Sequence, residues 1–403
     1  MKNLKKNIIY RNNIQKAHLR KKTIAKHKSR VTKAINHINK NINLKKNTLH
    51  YLSKDFKLNF INSELKKYKK FKNVLVVGMG GSILGIEAIY YFLKNKIKKN
   101  FLFLDNLDEE KFLDMNKKLN FKKCLFIIIS KSGSTTETLT NINLLKQKQI
   151  NLKNTIIISE NKNTALRSIA RKINALFIEH KDYIGGRYSV LTEVGMLPAY
   201  LMGLDINNFR KNILSFFKKK HQLFLIDSIL KLSDIYSKKK INSIIFFNYC
   251  PELQNFLFWC QQLLAESLGK KGKGLLPVIS QAPKDHHSLL QLYLDGPRDK
   301  IFYIFSINTK KSILIKNNFF SDTFRLKKNI KLINIINAQK NAFIAVLKKR
   351  NIPFREFEIN NLKEETLGEL FTYFILETIL LGNDLGVNPF DQPSVESVKA
   401  LTK

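Results

Sequence analysis

Between Ser130 and Thr138 the chain reads SKSGSTTET, placing six hydroxyl side chains, Lys131, Gly133 and Glu137 directly after the apolar run FIII. Hydroxyls at that density at the entry of a helical pattern can donate to phosphate oxygens together with the free N–H groups of the first turn. Helix capping accounts for one or two such hydroxyls and leaves the rest of the run unexplained. An earlier loop, VLVVGMGGSILG, offers a second anion cradle, since glycines let the backbone turn tightly and approach a ligand. That loop also resembles a dinucleotide fingerprint, with Asp105 at the end of the next strand as ribose acid. The fingerprint, however, needs a glycine at position 83, where the chain has Ile83. An NAD-dependent dehydrogenase therefore stands as a rival reading, one with no use for the second, hydroxyl-rich cradle.

Four further residues are of types that do chemistry. Arg187 follows a Gly-Gly pair in IGGRYSVLT, placed either to stabilise negative charge developing on a substrate oxygen or to pack into a domain join. Glu266, in WCQQLLAESLGKKGKG, stands near a helix C-terminus, where an acid opposes the helix dipole. It reads either as a partly desolvated general base or as a solvated helix glutamate. His287, in KDHHSLLQ, is a candidate proton shuttle or a structural histidine. Lys399, in the tail NPFDQPSVESVK, by itself reads as a solvated tail lysine.

The elements that must position these groups follow from the apolar pattern. Short runs rich in β-branched and aromatic residues fall at 74–77, 101–105, 124–129, 155–159 and 175–179, and again at 243–248, 275–280, 301–307 and 354–359. Amphipathic helix-length segments separate them, among them 109–119, 135–148, 251–268, 337–349 and 363–381. Apolar strands alternating with helices predict parallel sheets covered on both faces. We read an α/β fold with a basic N-terminal arm at 1–60, a first doubly wound domain at 61–205, a second at 206–382 and a C-terminal helix at 383–403. The domain join falls at 204–240, marked by charged, linker-like sequence such as FFKKKHQ. The arm, with no acid before Asp55 and no evident amphipathic stripe in its first 30 residues, is expected to be a solvated or partner-packed helix.

Composition narrows the function classes. The 403-residue chain carries a net charge of +40, from 71 Lys and Arg against 31 Asp and Glu, which would attract any polyphosphate. The excess is mostly Lys spread along the chain beside Asn, Ile and Phe, and no nucleic-acid-binding motif accompanies it, so specific nucleic-acid recognition is not expected. No apolar run is long enough for a membrane span, and a cytoplasmic protein is expected. Cys124, Cys250 and Cys260 form no C-x-x-C pair, and no ligand cluster completes a metal site around the adjacent His286 and His287.

Taken in order, GMGGS, SKSGSTTET, GGRYSVLT, ESLGKKGKG and NPFDQPSVESVK resemble the glucose-6-phosphate isomerase family of the sugar-isomerase (SIS) superfamily, from about Val74 to Lys399. The resemblance implies two SIS-type three-layer domains in a homodimer, with no cofactor and no metal. The implied activity is interconversion of glucose 6-phosphate and fructose 6-phosphate, in glycolysis and gluconeogenesis. Residue by residue, it implies that Glu266 is the base of a cis-enediol mechanism and that Arg187 stabilises the enediolate. His287 would assist ring opening from the partner subunit, Lys399 would assist it from the tail, and Gln392 would lie near the phosphate. Ser130, Lys131, Ser132 and Thr135 would hold the phosphate, Gly81 and Ser82 would line the sugar, and Glu137 would be a supporting acid that positions Arg187. A noncatalytic SIS-type sugar-phosphate sensor is the alternative; it leaves Glu266, His287 and Lys399 without a joint purpose.

Overall fold

The computed structural model describes residues 7–15, 18–19, 21–145, 149–217, 219–237, 241–316 and 329–401. In chain order the described strands are β1 (Ile8–Asn12), β2 (Asn73–Val77), β3 (Asn100–Leu104), β4 (Cys124–Ile129), β5 (Thr155–Ser159), β6 (Leu176–Glu179), β7 (Ser243–Asn248), β8 (Leu276–Gln281), β9 (Lys300–Ile307), β10 (Leu314–Ile315), β11 (Ile330–Lys331) and β12 (Phe354–Ile359). β2 to β6 form one all-parallel sheet in the order β3-β2-β4-β5-β6. The second sheet runs β1-β12-β9-β7-β8; its last four strands are parallel and β1 lies antiparallel on β12. β10 and β11 pair separately as a two-stranded ribbon.

Central strands covered by helices on both faces have no polar side to present. Every residue of β4, CLFIII, is buried, which accounts for an unbroken apolar run rather than an alternating one. The helices between strands carry ordinary start signals. Helix Glu109–Lys118, for example, has Asp108 accepting from the Lys111 N–H at 2.8 Å, acids in its first turn and lysines in its last.

Two expectations are corrected. The N-terminal arm is neither solvated nor wholly helical: it opens with β1 on the edge of the second sheet, then forms helix Lys21–Asn41. Val31, Ile35 and Ile38, with Ile42 just beyond, make a buried stripe that packs on helices Lys219–Ser237 and Glu364–Leu385. The linker-like stretch is also helical over Lys219–Ser237. Its buried Leu225, Ile229, Leu232 and Ile235 recur at helical spacing beneath the charge. The two sheet units meet where helix Leu84–Phe92 of the first packs along helix Gln254–Leu268 of the second. This contact sets the frame of the site.

Two buried acids make stability depend on pH. Burial, and then the nearby Asp105, raises the Glu87 carboxyl from 4.5 to about 7, with Lys111 opposing. Burial likewise raises Glu369 to about 7, against the hydrogen bonds from Asn7 and Tyr10. The folded chain holds protons on both groups that the unfolded chain releases above 4.5, so their contribution is most favourable below that value and is lost as pH rises through about 7. Denaturant unfolding between pH 5 and pH 8 should therefore lose less stability in Glu87→Gln than in the unaltered chain, by on the order of 3 kcal/mol. Parallel pH curves for the two proteins would remove Glu87 from this account.

Candidate active site

In the first sheet the chain moves from β2 to β3 on one side and to β4 on the other. The crevice beyond the C-terminal ends of β2 and β4 is therefore a topological switch point, where open parallel sheets bind ligands. The loops after these two strands are the glycine loop at 78–82 and the hydroxyl loop at 130–135.

The hydroxyl loop is internally organised. Ser130, which is buried, lies with its Oγ 2.8 Å from Thr135 Oγ1 and accepts from the Gly133 N–H at 3.2 Å. Ser132 Oγ lies 3.4 Å from Thr135 Oγ1. Helix Thr136–Leu144 begins directly afterwards, so its free N–H groups face the same loop. Lys131 is turned toward the loop after β6: its Nζ donates to the Asp182 carbonyl at 2.7 Å and lies 3.7 Å from Glu160. Burial lowers the pKa of this ammonium, and Glu160 opposes that shift.

The glycine loop is pressed against the Arg187 turn. A Cβ on Gly81 would stand 2.3 Å from the Gly186 carbonyl carbon and 2.4 Å from the Arg187 nitrogen, so backbone meets backbone there and only glycine fits. Gly80, at φ +53°, leaves room for Gln262, whose Nε2 would lie 2.7 Å from a Cβ at that position. Ser82 closes the loop and is buried.

Arg187 is only 3% exposed, and its guanidinium ties its own turn to two other segments of the chain. Nε donates to Ser267 Oγ at 2.8 Å; Nη1 donates to Gln392 Oε1 at 2.6 Å and to Glu266 Oε2 at 3.3 Å; Nη2 donates to the carbonyls of Pro389 (2.7 Å) and Asp391 (3.0 Å). The Tyr188 hydroxyl donates to the Pro389 carbonyl at 2.7 Å and lies 2.8 Å from Ser267 Oγ. Arg187 thus packs into the domain join and also sits beside a carboxylate.

Glu266, two residues before the end of helix Gln254–Leu268, keeps 29% of its side chain exposed. Gln262, one turn earlier, donates Nε2 to Glu266 Oε1 at 2.9 Å. One carboxylate oxygen is therefore held by an amide and the other by a guanidinium, while part of the group faces open space. A carboxylate so fixed can take and return a proton on a ligand in the crevice, and the adjacent guanidinium can receive negative charge on a neighbouring oxygen.

The tail completes the arrangement. Lys270 Nζ pairs with Asp391 at 2.8 Å and donates to the Asn388 carbonyl, while Lys273 Nζ donates to the Leu385 carbonyl at 2.7 Å. Lys270, first by direct hydrogen bonding, holds the Asp391 carboxyl below its usual range. These contacts hold the segment that delivers Gln392 to Arg187. Gln262, Ser267, Tyr188 and Lys270 were not singled out from sequence. Gln262 carried a readable signal, since a glutamine four residues before Glu266 shares its helix face; the others are visible only once the tail is docked.

Gly81, Arg187, Glu266 and Gln392 thus come together. Glu137 lies half-buried in the first turn of helix Thr136–Leu144, and Arg187's hydrogen-bond partners are the groups named above rather than Glu137. Lys399 lies in helix Pro393–Leu401, with its side chain outside the described part of the structure. His287 is exposed beyond the C-terminal end of β8. Its neighbour His286 lies 2.7 Å from the Tyr249 hydroxyl through Nε2 and stacks on Phe247. Among the described residues, no cluster of His, Cys, Asp and Glu suits a metal, and no helix is long and apolar enough to cross a membrane.

Comparisons with known proteins bear on the fold and the family. The fold is similar to that of a hypothetical protein from Thermus thermophilus, with a TM-score of 0.82 at 22% identity over 98% of this chain and 99% of that one. It is also similar to a glucose-6-phosphate isomerase from Chlamydia trachomatis, with a TM-score of 0.76 at 16% identity over 98% and 87%. The sequence is 34% identical to the glucose-6-phosphate isomerase of Methanocaldococcus jannaschii, over 84% of this chain and 86% of the relative. It is 31% identical to that of Campylobacter jejuni, over 87% and 89%. The model of the phosphoglucose isomerase family matches residues 1–403, and the chain belongs to that family.

Proposed function

We propose that this enzyme interconverts glucose 6-phosphate and fructose 6-phosphate, with Glu266 moving a proton between C1 and C2 of the open-chain sugar. The observation that carries the reading is the convergence of Glu266, Arg187 and Gln392, from three distant segments, beside the glycine loop. The Glu266 carboxylate takes the proton from C2 of the aldose or C1 of the ketose, leaving a cis-enediol, and returns it to the other carbon. Negative charge that builds on the substrate oxygen during transfer lies against the Arg187 guanidinium. The phosphate takes no part in bond making. Ser130, Ser132 and Thr135, with the first-turn N–H groups of helix Thr136–Leu144, grip it, so that remote binding energy positions the carbons. Incubation with fructose 6-phosphate, metal chelated and no nicotinamide added, should form glucose 6-phosphate. Sugar-phosphate binding without turnover would instead support a sensor.

His287 is assigned to ring opening in the site of a second copy. Gln261 Nε2 donates to the Pro277 carbonyl at 2.9 Å, near the N-terminal end of β8, and Glu266 lies farther along the helix beyond that end. His287 follows the opposite end of the same strand. Strand and helix rises put the two residues on the order of 20 Å apart, too far to serve one substrate from a single chain. β8 is an edge strand, and Leu276 at 65% exposure, Phe258 and Leu292 flank it with uncovered apolar surface, which supports pairing of two copies there. Lys399 is assigned to the same ring-opening step from the tail helix.

This arrangement makes a sharp prediction. Glu266→Gln and His287→Gln homodimers should each be nearly inactive, yet dissociation and reassociation of an equimolar mixture should restore about a quarter of normal activity, because half the dimers are then mixed and each has one intact site. A mixture no more active than its components would place His287 in its own chain's site or outside catalysis.

A further inference from the structure

We propose that a cleft between the N-terminal helix and the end of helix Glu364–Leu385 is a second small-molecule site, separate from the one around Arg187, that takes an organic phosphate with an apolar or aromatic body. The cleft encloses about 530 Å³, within the size range of small-molecule sites. One wall carries Arg30, Lys33 and His37 on a single face of helix Lys21–Asn41, spread over roughly 10 Å by the helix rise. Among the described residues lining the cleft there is no acid. The opposite wall and floor are of another kind: Ile38, Ile379 and Phe390 are apolar, and Thr48 and Asn383 supply neutral hydrogen-bonding groups. The Arg30 and Lys33 cations on one side and an apolar floor on the other suit a ligand with a phosphate head and a less polar body, rather than a bare anion.

A chain of net charge +40 attracts anions over much of its surface, but an ordinary lysine face is convex and has no apolar floor. This cleft is also held in shape. His27 Nδ1 lies 2.6 Å from Asp384 Oδ2 and Arg30 Nη1 donates to the Asp384 carbonyl at 3.2 Å, which fastens the helix carrying the cations to the opposite wall. The far wall leads to the catalytic residues, because Phe390 packs on Tyr188 with ring centroids 5.5 Å apart and stands two residues before Gln392. A ligand filling the cleft would brace the segment that holds Gln392 on Arg187. The N-terminal arm, whose charge the isomerase reaction does not use, thereby acquires a purpose.

Titration calorimetry of the full chain with adenosine 5′-monophosphate at physiological salt tests the proposal, with fructose 6-phosphate present at saturation. One equivalent per chain is expected to bind. The double variant Lys33→Gln/His37→Gln, whose exposed side chains lie outside the catalytic machinery, should weaken binding about tenfold and leave isomerase activity unchanged. Lys122→Gln/Lys123→Gln, which also removes positive charge from an exposed stretch elsewhere, should have little effect. Binding seen only in a parallel titration without fructose 6-phosphate would assign it to the Arg187 site, and equal weakening in both double variants would reduce it to general charge attraction. Inorganic phosphate binding as tightly as the nucleotide would remove the role of the apolar floor. No binding at millimolar nucleotide would overturn the site.

Discussion

Glu266→Gln is expected to lower turnover by about 10²- to 10⁴-fold, the range that removal of a positioned general base produces, while a phosphorylated sugar acid still binds. The substitution preserves shape and removes only the group that accepts the proton. Its local cost is small for an identifiable reason. Glu266 Oε1 accepts from Gln262 Nε2 and Oε2 accepts from Arg187, so a glutamine amide, having one oxygen and one nitrogen, can keep only one of these bonds as it stands. The oxygen would stay on Arg187 and the NH₂ would face Gln262. Gln262 Oε1, buried and without a partner among the described residues, can accept that donor once the Gln262 amide turns over. Steady-state kinetics with a parallel binding titration should show turnover collapsing and affinity kept. Turnover within a few-fold of the unaltered enzyme would mean that another group carries the proton.

Arg187→Met should be nearly as severe and fail in two ways at once. Removing a donor that meets developing oxyanion charge costs about 10²- to 10³-fold in turnover. The same change strips partners from the carbonyls of Pro389 and Asp391 and from Gln392, at a stability cost on the order of 3 kcal/mol. Amide exchange should then quicken across residues 386–392, which depend on the guanidinium and on Lys270 and Lys273 for anchorage. Arg187→Lys separates the two effects. An ammonium can still pair with Glu266, but it cannot reach Ser267, Gln392 and two carbonyls from one planar fork. The Lys variant should recover part of the turnover and little of the protection from exchange. Turnover within tenfold of normal in Arg187→Met would confine this arginine to holding the tail.

Much of the architecture is legible because buried parallel strands carry an unambiguous composition. Runs such as CLFIII and SIIFFN can be satisfied only between helical layers, and the strands occur at Cys124–Ile129 and Ser243–Asn248 as the pattern predicts. The elements that were missed are those whose apolar stripe lies under heavy charge. Helix Lys219–Ser237 begins KKHQ, and its buried leucines and isoleucines are interleaved with Lys and Asp. β1 is a short edge strand whose partner, β12, lies more than 340 residues away in the chain, so no local signal announces it. The site divides in the same way. Each loop could be read as an anion cradle from its own residues, and the switch point between β2 and β4 explains why the two share a crevice. The pairing of Arg187 with Glu266 and Gln392 spans 79 and 205 residues. No spacing rule reaches that far, and only the resemblance had linked these residues. Of the two adjacent histidines, the spacing to Ser288 and Gln291 already favours His287; in three dimensions His286 stacks on Phe247 and His287 stays exposed.

The most direct test of proton transfer by Glu266 is NMR of fructose 6-phosphate turned over in heavy water, with the unaltered chain and with Glu266→Gln. The account predicts glucose 6-phosphate enriched in deuterium at C2 from the unaltered chain, because a proton held on a carboxylate that is 29% exposed can exchange with solvent before it returns, and it predicts a rate lower by orders of magnitude from the variant. Label appearing at C2, or product forming, equally fast with Glu266→Gln would contradict it.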